Sequence, residues 1–154
     1  MNTIVAFHVM AAFAAYGLPF AYPLLIPYLR RHHPRTLPGV HDVQHRLNLV
    51  LTGPGTVLLL GFGIYLATKD HQWGEAYVQV GLTIIAVIVV AGGMIVRWTA
   101  ELSTLAEADV QRAGSDATIT FSAAYEQTYR RYLVTETALG ALVLVAIFVM
   151  VVKP

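Results

Sequence analysis

The stretch AYVQVGLTIIAVIVVAGGMIVR, residues 76–97, is apolar on every face from Val80 to Met94. A helix of a soluble bundle carries one apolar stripe and a polar opposite side. A helix with no polar side is one surrounded by hydrocarbon. At a rise of about 1.5 Å per residue, roughly 20 residues cross the core of a bilayer. Three more runs meet that length, residues 3–28, 47–68 and 132–152, and Leu139–Val152 is again apolar all round. The sequence therefore predicts an all-α membrane protein: an antiparallel bundle of four transmembrane helices, forming one integral membrane domain over 1–154.

Composition agrees. The chain is 56% hydrophobic and 12% charged, about half the charged share of a soluble domain. A net charge of +1 gives no footing for nucleic acid. With no cysteine, disulfides, thiolate metal sites and a cysteine nucleophile are excluded. No nucleotide-binding glycine loop, zinc-protease motif or nucleophile elbow occurs. Ala12-Phe13-Ala14 has the look of a signal-peptide cleavage site. The basic n-region is missing, however, and the apolar run continues past it, so the first run reads as a retained span.

Charge sets the expected orientation. Arg30, Arg31, Arg35 and Arg46 flank the first connection, and Arg97, Arg112, Arg130 and Arg131 flank the third. Only Lys69 and Lys153 lie on the other side. By the positive-inside rule the arginine side is cytoplasmic and both termini are outside the cytoplasm. Trp73, Tyr65 and Tyr77 are expected at the outer interface, and Trp98, Tyr28, Tyr129 and Tyr132 at the inner one.

Breaks in the runs are informative. Pro19, Pro23 and Pro27 recur every four residues on one face, and each frees a backbone carbonyl. Two readings stand: a bent helix ending near Tyr28, or an opening built to face a cavity. Leu29–Asp42 reads as a surface loop, with Asp42 capping the next helix. Pro54, between Gly53 and Gly55, predicts a kink with Thr52 covering a freed carbonyl. Span three is expected to run past Trp98 to Gly114, where a C-cap fits. With Ser115 or Asp116 as N-cap, a further helix starts near Ala117 and runs into span four. The two would form a cytoplasmic helical hairpin, with Ile119, Phe121, Tyr125 and Tyr129 facing Leu102, Leu105 and Val110. Gly17, Gly53, Gly55, Gly61, Gly63, Gly92, Gly93 and Gly140 are expected at helix contacts.

Few ionisable groups lie at membrane depth, where they are costly. Glu136 and Arg46 lie at similar depth on the cytoplasmic side. They read as a packing ion pair or, for Glu136, as a proton-relay or substrate carboxylate. Asn48 follows Arg46. His8, in the outer part of span one, is a candidate haem ligand or an interhelical hydrogen-bonding group. His41 and His45, four apart, share a helix face and are candidate metal ligands without a third partner of obvious spacing. His32 and His33 extend the basic cluster beside Arg30 and Arg31, within reach of anionic lipid.

Trp73-Gly74-Glu75, Val78-Gln79-Val80-Gly81-Leu82 and the ending Ile147-Phe148-Val149-Met150-Val151-Val152-Lys153-Pro154 resemble a bacterial family of predicted integral membrane proteins of unknown function. The likeness covers nearly the whole chain and implies a four-span fold in a bacterial cytoplasmic membrane. A more distant likeness is to the membrane protoporphyrinogen oxidase family and the copper-resistance-D-type proteins. His8 and Gly17 in span one carry it, with Arg46-Leu47, Pro54 and Gly63 in span two. That likeness implies His8 as an axial ligand of haem b. The chain departs from the oxidase family at Tyr77, Val78 and Gln79, where the family has a lysine. It departs again at Val90–Gly93, where the family has a histidine.

The expected role is structural or in assembly, without catalysis, in contact with the lipid bilayer and with a second copy or a membrane partner. One alternative is a haem-binding or redox protein built on His8. Another is a transporter or channel subunit.

Overall fold

The computed structural model describes residues 2–115 and 118–152, and every regular element among them is helical. The helices are α1 (Asn2–Tyr16), α2 (Tyr22–His32), α3 (Leu37–Leu47), α4 (Gly53–Lys69), α5 (Ala76–Ala113) and α6 (Ala123–Val152). Single 3-10 turns at Pro19–Ala21 and Pro34–Thr36 precede α2 and α3. A π-helical turn, Asn48–Thr52, joins α3 to α4. Three helices are long and apolar enough to cross a membrane: Pro34–Lys69, Ala76–Ala113 and Ala123–Val152. Thr3–Tyr16 and Pro19–His32 meet at 42° and add a fourth when counted as one span.

The first run bends at its first proline. Gly17 and Leu18 leave the helix, and Ala21 N–H donates to the Leu18 carbonyl (2.9 Å) in the tighter 3-10 pattern. Pro23 then falls in the first turn of α2, where its missing N–H is harmless, and Pro27 lies inside α2. The helix ends at His32, one turn beyond Tyr28.

The first connection is not the surface loop expected from its prolines and Gly39. It is helical on both sides of Pro34, because Pro34 and Pro38 sit in first turns, where proline starts helices rather than breaking them. Leu37, His41 and Gln44 form a buried face of α3 that packs along α5 and α6. Asp42 caps nothing. It lies within α3 and accepts from Arg46 Nε (2.9 Å) on an exposed face. That pairing also removes the expected Arg46–Glu136 contact. At Pro54 the expected break takes the form of a π-helical turn. The π-turn passes the Gly53 N–H to the Asn48 carbonyl, and the helix continues from Pro34 to Lys69. The Thr52 hydroxyl points to the Asn48 side chain (3.5 Å) and not to a freed carbonyl.

The α5–α6 hairpin forms, with a different start to its second arm. α5 ends at Gly114, whose φ of +69° suits a residue without Cβ. Arg35 donates from Nη1 to the Gly114 carbonyl (2.7 Å) and from Nη2 to the Ser115 carbonyl (2.8 Å), covering the orphan end of α5. Asp116 and Ala117 lie outside the described residues. α6 begins at Ala123 rather than near 117, because Ser122 and Asp109 hold its N-terminus. Ser122 Oγ accepts from Tyr125 N–H (3.3 Å), and Asp109 Oδ2 accepts from Ser122 N–H (2.8 Å). Tyr125 and Tyr129 join Leu102 and Leu105 in one core, with Phe121 against it.

Asp109 is 2% exposed. Burial pushes its carboxyl up. The Ser122 hydrogen bonds and the Arg112 guanidinium outweigh that and hold it below the usual carboxylate value. A lowered folded pKa contributes stability above the unfolded value, and that contribution is lost as pH falls through the folded one. The hairpin is therefore expected to loosen in acid below about pH 3.8. Asp109→Asn is expected to cost about 1–3 kcal/mol at neutral pH, read by thermal unfolding. Unchanged unfolding of that variant would count against the capping role.

Burial falls into three clusters. At the arginine-rich end, Ile26, Leu37, Leu102, Ala106, Tyr125 and Tyr132 are wholly buried. Tyr129 and Tyr132 are thus core residues, not members of an interfacial belt, and so is Tyr77 at the other end. The middle cluster joins Ala11, Ala15 and Tyr16 to Leu59, Ile84, Ile88 and Val143. Around these the outer surface is apolar: Phe13 is 78% exposed, Leu24 80% and Val151 76%.

Of the glycines expected at contacts, Gly55 and Gly63 are. A Cβ on Gly55 would lie 2.9 Å from Ala15 Cβ, and one on Gly63 would lie 3.3 Å from His8 Cε1. Gly140 lies against Phe20. Gly17 and Gly53 meet only atoms four and five residues earlier in the chain, Phe13 and Asn48, and Gly61, Gly92 and Gly93 face open space. Gly81, beneath Met150, is a contact glycine that helix packing alone did not predict.

Candidate functional site

Irregular stretches of all four apolar runs border one cavity. It has a volume of about 390 Å³. The break in span one supplies Tyr16, Pro19 and Phe20. The π-turn and the start of α4 supply Asn48, Thr52, Gly53 and Thr56. Gly92 and Gly93 leave its α5 wall bare, and Glu136 and Gly140 line it from α6. Gly92 and Gly93, which meet no neighbouring helix, are therefore absent side chains over this void. Lining residues Gly53, Val57, Val89 and Gly93 are also exposed on the outer surface, so the cavity opens sideways between α4 and α5.

Glu136 is the charged group of this lining, and the residue is 94% removed from solvent, being 6% exposed. Among the described residues its carboxyl makes no hydrogen bond or ion pair. The phenols of Tyr22 and Tyr132 lie within electrostatic range of it. Across the cavity, Tyr16 and Thr56 hydroxyls are 2.9 Å apart, and Thr56 donates to the Thr52 carbonyl (2.7 Å). These hydroxyls are already paired, which leaves the Glu136 carboxyl and the Asn48 amide nitrogen as the lining groups with unspent bonding capacity among the described residues. No protein-family model, curated protein or solved structure matches the chain.

The other sequence candidates lie elsewhere. His8 packs on Gly63 in the α1–α4 contact, and its Nδ1 is buried without a hydrogen-bond partner among the described residues. His71, at the same end, is exposed in the turn between α4 and α5. His41 and His45 do share a helix; both ring nitrogens of His41 and one of His45 are engaged by protein. His41 Nδ1 is 2.8 Å from Gln44 Oε1, and Nε2 is 3.1 Å from the Tyr125 hydroxyl. His45 Nδ1 is 3.0 Å from the Val96 carbonyl. No group of three metal-ligating side chains occurs among the described residues.

His41 belongs instead to a buried polar chain. The Gln44 carbonyl can only accept, so His41 Nδ1 carries the proton and Nε2 accepts from Tyr125. Gln44 Nε2 then donates to the Tyr132 hydroxyl (2.8 Å). The chain reaches from Tyr125 to Tyr132, one turn before Glu136. It does not form a proton wire. An amide that accepts on oxygen and donates on nitrogen passes no proton without tautomerising. Its work is to lock α3 onto α6. Gln44 and the two tyrosines carried no signal in the sequence beyond three-and-four spacing. Tyr16 and Thr56 carried none, since a hydroxyl in an apolar run is usual in membrane helices.

Proposed function

We propose that this is a multi-pass membrane protein that binds a small, lipid-soluble organic cation in the cavity at Glu136. The observation that carries it is a deeply buried carboxyl with no protein partner, aimed into a space of ligand size. Cavities of roughly 300–1,000 Å³ with a few polar groups are ordinary ligand sites. A carboxylate this deeply buried without a protein partner is expensive, and a bound cation offsets that cost. Tyr16 and Phe20 add aromatic faces of the kind that attract ammonium groups. The sideways opening admits the ligand from the bilayer.

The membrane reading rests on the apolar outer surface, which is larger than soluble monomers leave in water. Contrast between the ends supports it too: the arginine-rich end has a wholly buried core, as a part facing water needs. We place the four candidate spans antiparallel in a bacterial cytoplasmic membrane, arginines inside and both termini outside, from the charge split. A purely structural or assembly role has no use for an unpaired carboxyl in an open cavity. Haem at His8 needs space for a macrocycle. The unpartnered nitrogen there is covered by α4 at Gly63, and the cavity lining holds no histidine, so the residues do not make a haem pocket.

The test compares 3-phenylpropylammonium with its neutral alcohol analogue on detergent-solubilised protein by calorimetry. Wild type is expected to prefer the cation, and Glu136→Gln, which keeps the shape, to weaken it by about 30-fold or more while sparing the alcohol. The same variant is expected to unfold no more easily than wild type, because it deletes a buried charge without breaking a pair. Equal cation affinity in both proteins would sink the proposal. Uptake of the ammonium into liposomes would then make the protein a carrier rather than a receptor.

A further inference from the structure

A second concavity, of about 880 Å³, lies at the arginine-rich end. Arg30 borders it from α2, Trp98 from α5, and α6 supplies Glu126, Gln127, Tyr129, Arg130, Arg131, Leu133, Val134 and Thr135. It is open and two-faced. Trp98, Leu133 and Val134 form an apolar wall on the side of the spans. Arg130 and Arg131 stand on the other side, where α6 leaves its apolar run.

The charges do not cancel. Arg30 is spent: it pairs with Glu126 and stacks over Tyr129 (4.8 Å to the ring centre) and Phe121 (5.5 Å). Arg130 and Arg131 are exposed and form no ion pair among the described residues. Two free guanidiniums beside an apolar wall fit a phosphate joined to hydrocarbon. Guanidinium matches phosphate oxygens in a two-pronged geometry, and tryptophan favours the depth at which headgroups sit.

We propose that this groove binds the headgroup of an anionic phospholipid of the inner leaflet, with Arg130 and Arg131 on the phosphate and the acyl chains along Trp98, Leu133 and Val134. The proposal rests on the membrane reading, but not on the cation site. The lipid would seat the hairpin against the bilayer, since the same turn of α6 carries Tyr129 and Tyr132 of the core beneath.

Native mass spectrometry of protein from mixed phosphatidylglycerol and phosphatidylcholine nanodiscs reads the retained lipid. Wild type is expected to keep phosphatidylglycerol selectively. R130Q/R131Q is expected to lose that selectivity by about 25-fold, at roughly fivefold for each near-surface arginine. The charge-matched control R31Q/K69Q, outside the groove, is expected to keep it. Equal loss in both double variants would mean diffuse attraction and overturn the assignment. Displacement of the lipid by millimolar inorganic phosphate would also overturn it, in favour of a soluble phosphate ligand. Flotation with phosphatidylcholine vesicles alone checks membrane residence separately. A protein that floats but shows no lipid selectivity refutes the groove and leaves the membrane reading standing.

Discussion

Gly55→Leu is expected to leave no monodisperse folded protein in mild detergent. Even a methyl group at 55 would lie 2.9 Å from Ala15 Cβ and 3.1 Å from Ala15 Cα, and neither atom belongs to a flexible side-chain end. α1 must then move away from α4. The Tyr16–Thr56 hydrogen bond and the packing of Ala11 and Ala15 on Leu59 go with it. Helices in lipid have little hydrophobic drive to associate, so close van der Waals fit carries much of the contact. Overpacking of a tight contact typically costs about 1–3 kcal/mol for small additions, and leucine adds three more carbons. Size-exclusion profiles after graded heating provide the measurement. A graded check is available in Gly55→Ala, expected to lower the melting temperature, with Ala15→Gly in the same chain restoring most of it. Failure of that compensation would place the cost somewhere other than the α1–α4 contact.

His41→Ala is expected to be the next most damaging change, at about 3–5 kcal/mol. The ring is wholly buried and bonded at both nitrogens. Its removal leaves a void and strands Gln44 Oε1 and the Tyr125 hydroxyl inside the core. Tyr125→Phe deletes one end of the chain without a void and is expected to cost only about 1 kcal/mol. That ranking, measured by thermal or denaturant unfolding, is what separates a connected network from three incidental bonds. Acid gives an independent check. Burial holds the His41 imidazole at about 4, below its ordinary 6.5, against the opposing pull of Gln44. Between those values the unfolded chain takes up a proton that the folded site refuses, so stability is lost as pH falls from about 6.5 to about 4. His41→Gln is expected to flatten that part of the pH profile, and an unaltered profile in the variant would falsify the assignment.

Much of the fold was legible because helix length and all-round apolarity are gross properties of the chain. Length and all-round apolarity identify Ala76–Ala113 and Ala123–Val152 as candidate spans without reference to any partner. Gly114 marked the end of α5 because few residues other than glycine accept its positive φ. Proline was the residue most easily misread. Pro34 and Pro38 looked like loop punctuation, yet the same ring that breaks a helix interior fits a first turn, and only packing against α5 showed which applied.

The site was half legible. Glu136 stood out as a carboxyl in an apolar run, and the clustered prolines of span one allowed for a cavity. Its partner could not be read, because depth along a helix does not fix the direction in which a side chain points. Arg46 lies at the right depth and faces Asp42 instead. Gly92 and Gly93 were equally ambiguous, since a missing side chain serves a tight contact and an empty space alike.

The sequence by itself determined that the chain is helical, how many apolar runs it has, and which end carries the arginines. These follow from residue-by-residue transfer energies and charge, which need no neighbours. Tertiary structure alone decided that the span-one break, the π-turn, Gly92, Gly93 and Glu136 converge on one cavity, and that His41 lies in the core, bonded to Gln44 and Tyr125. Convergence depends on how helices are rotated about their own axes, and that rotation is set by packing between residues far apart in the chain.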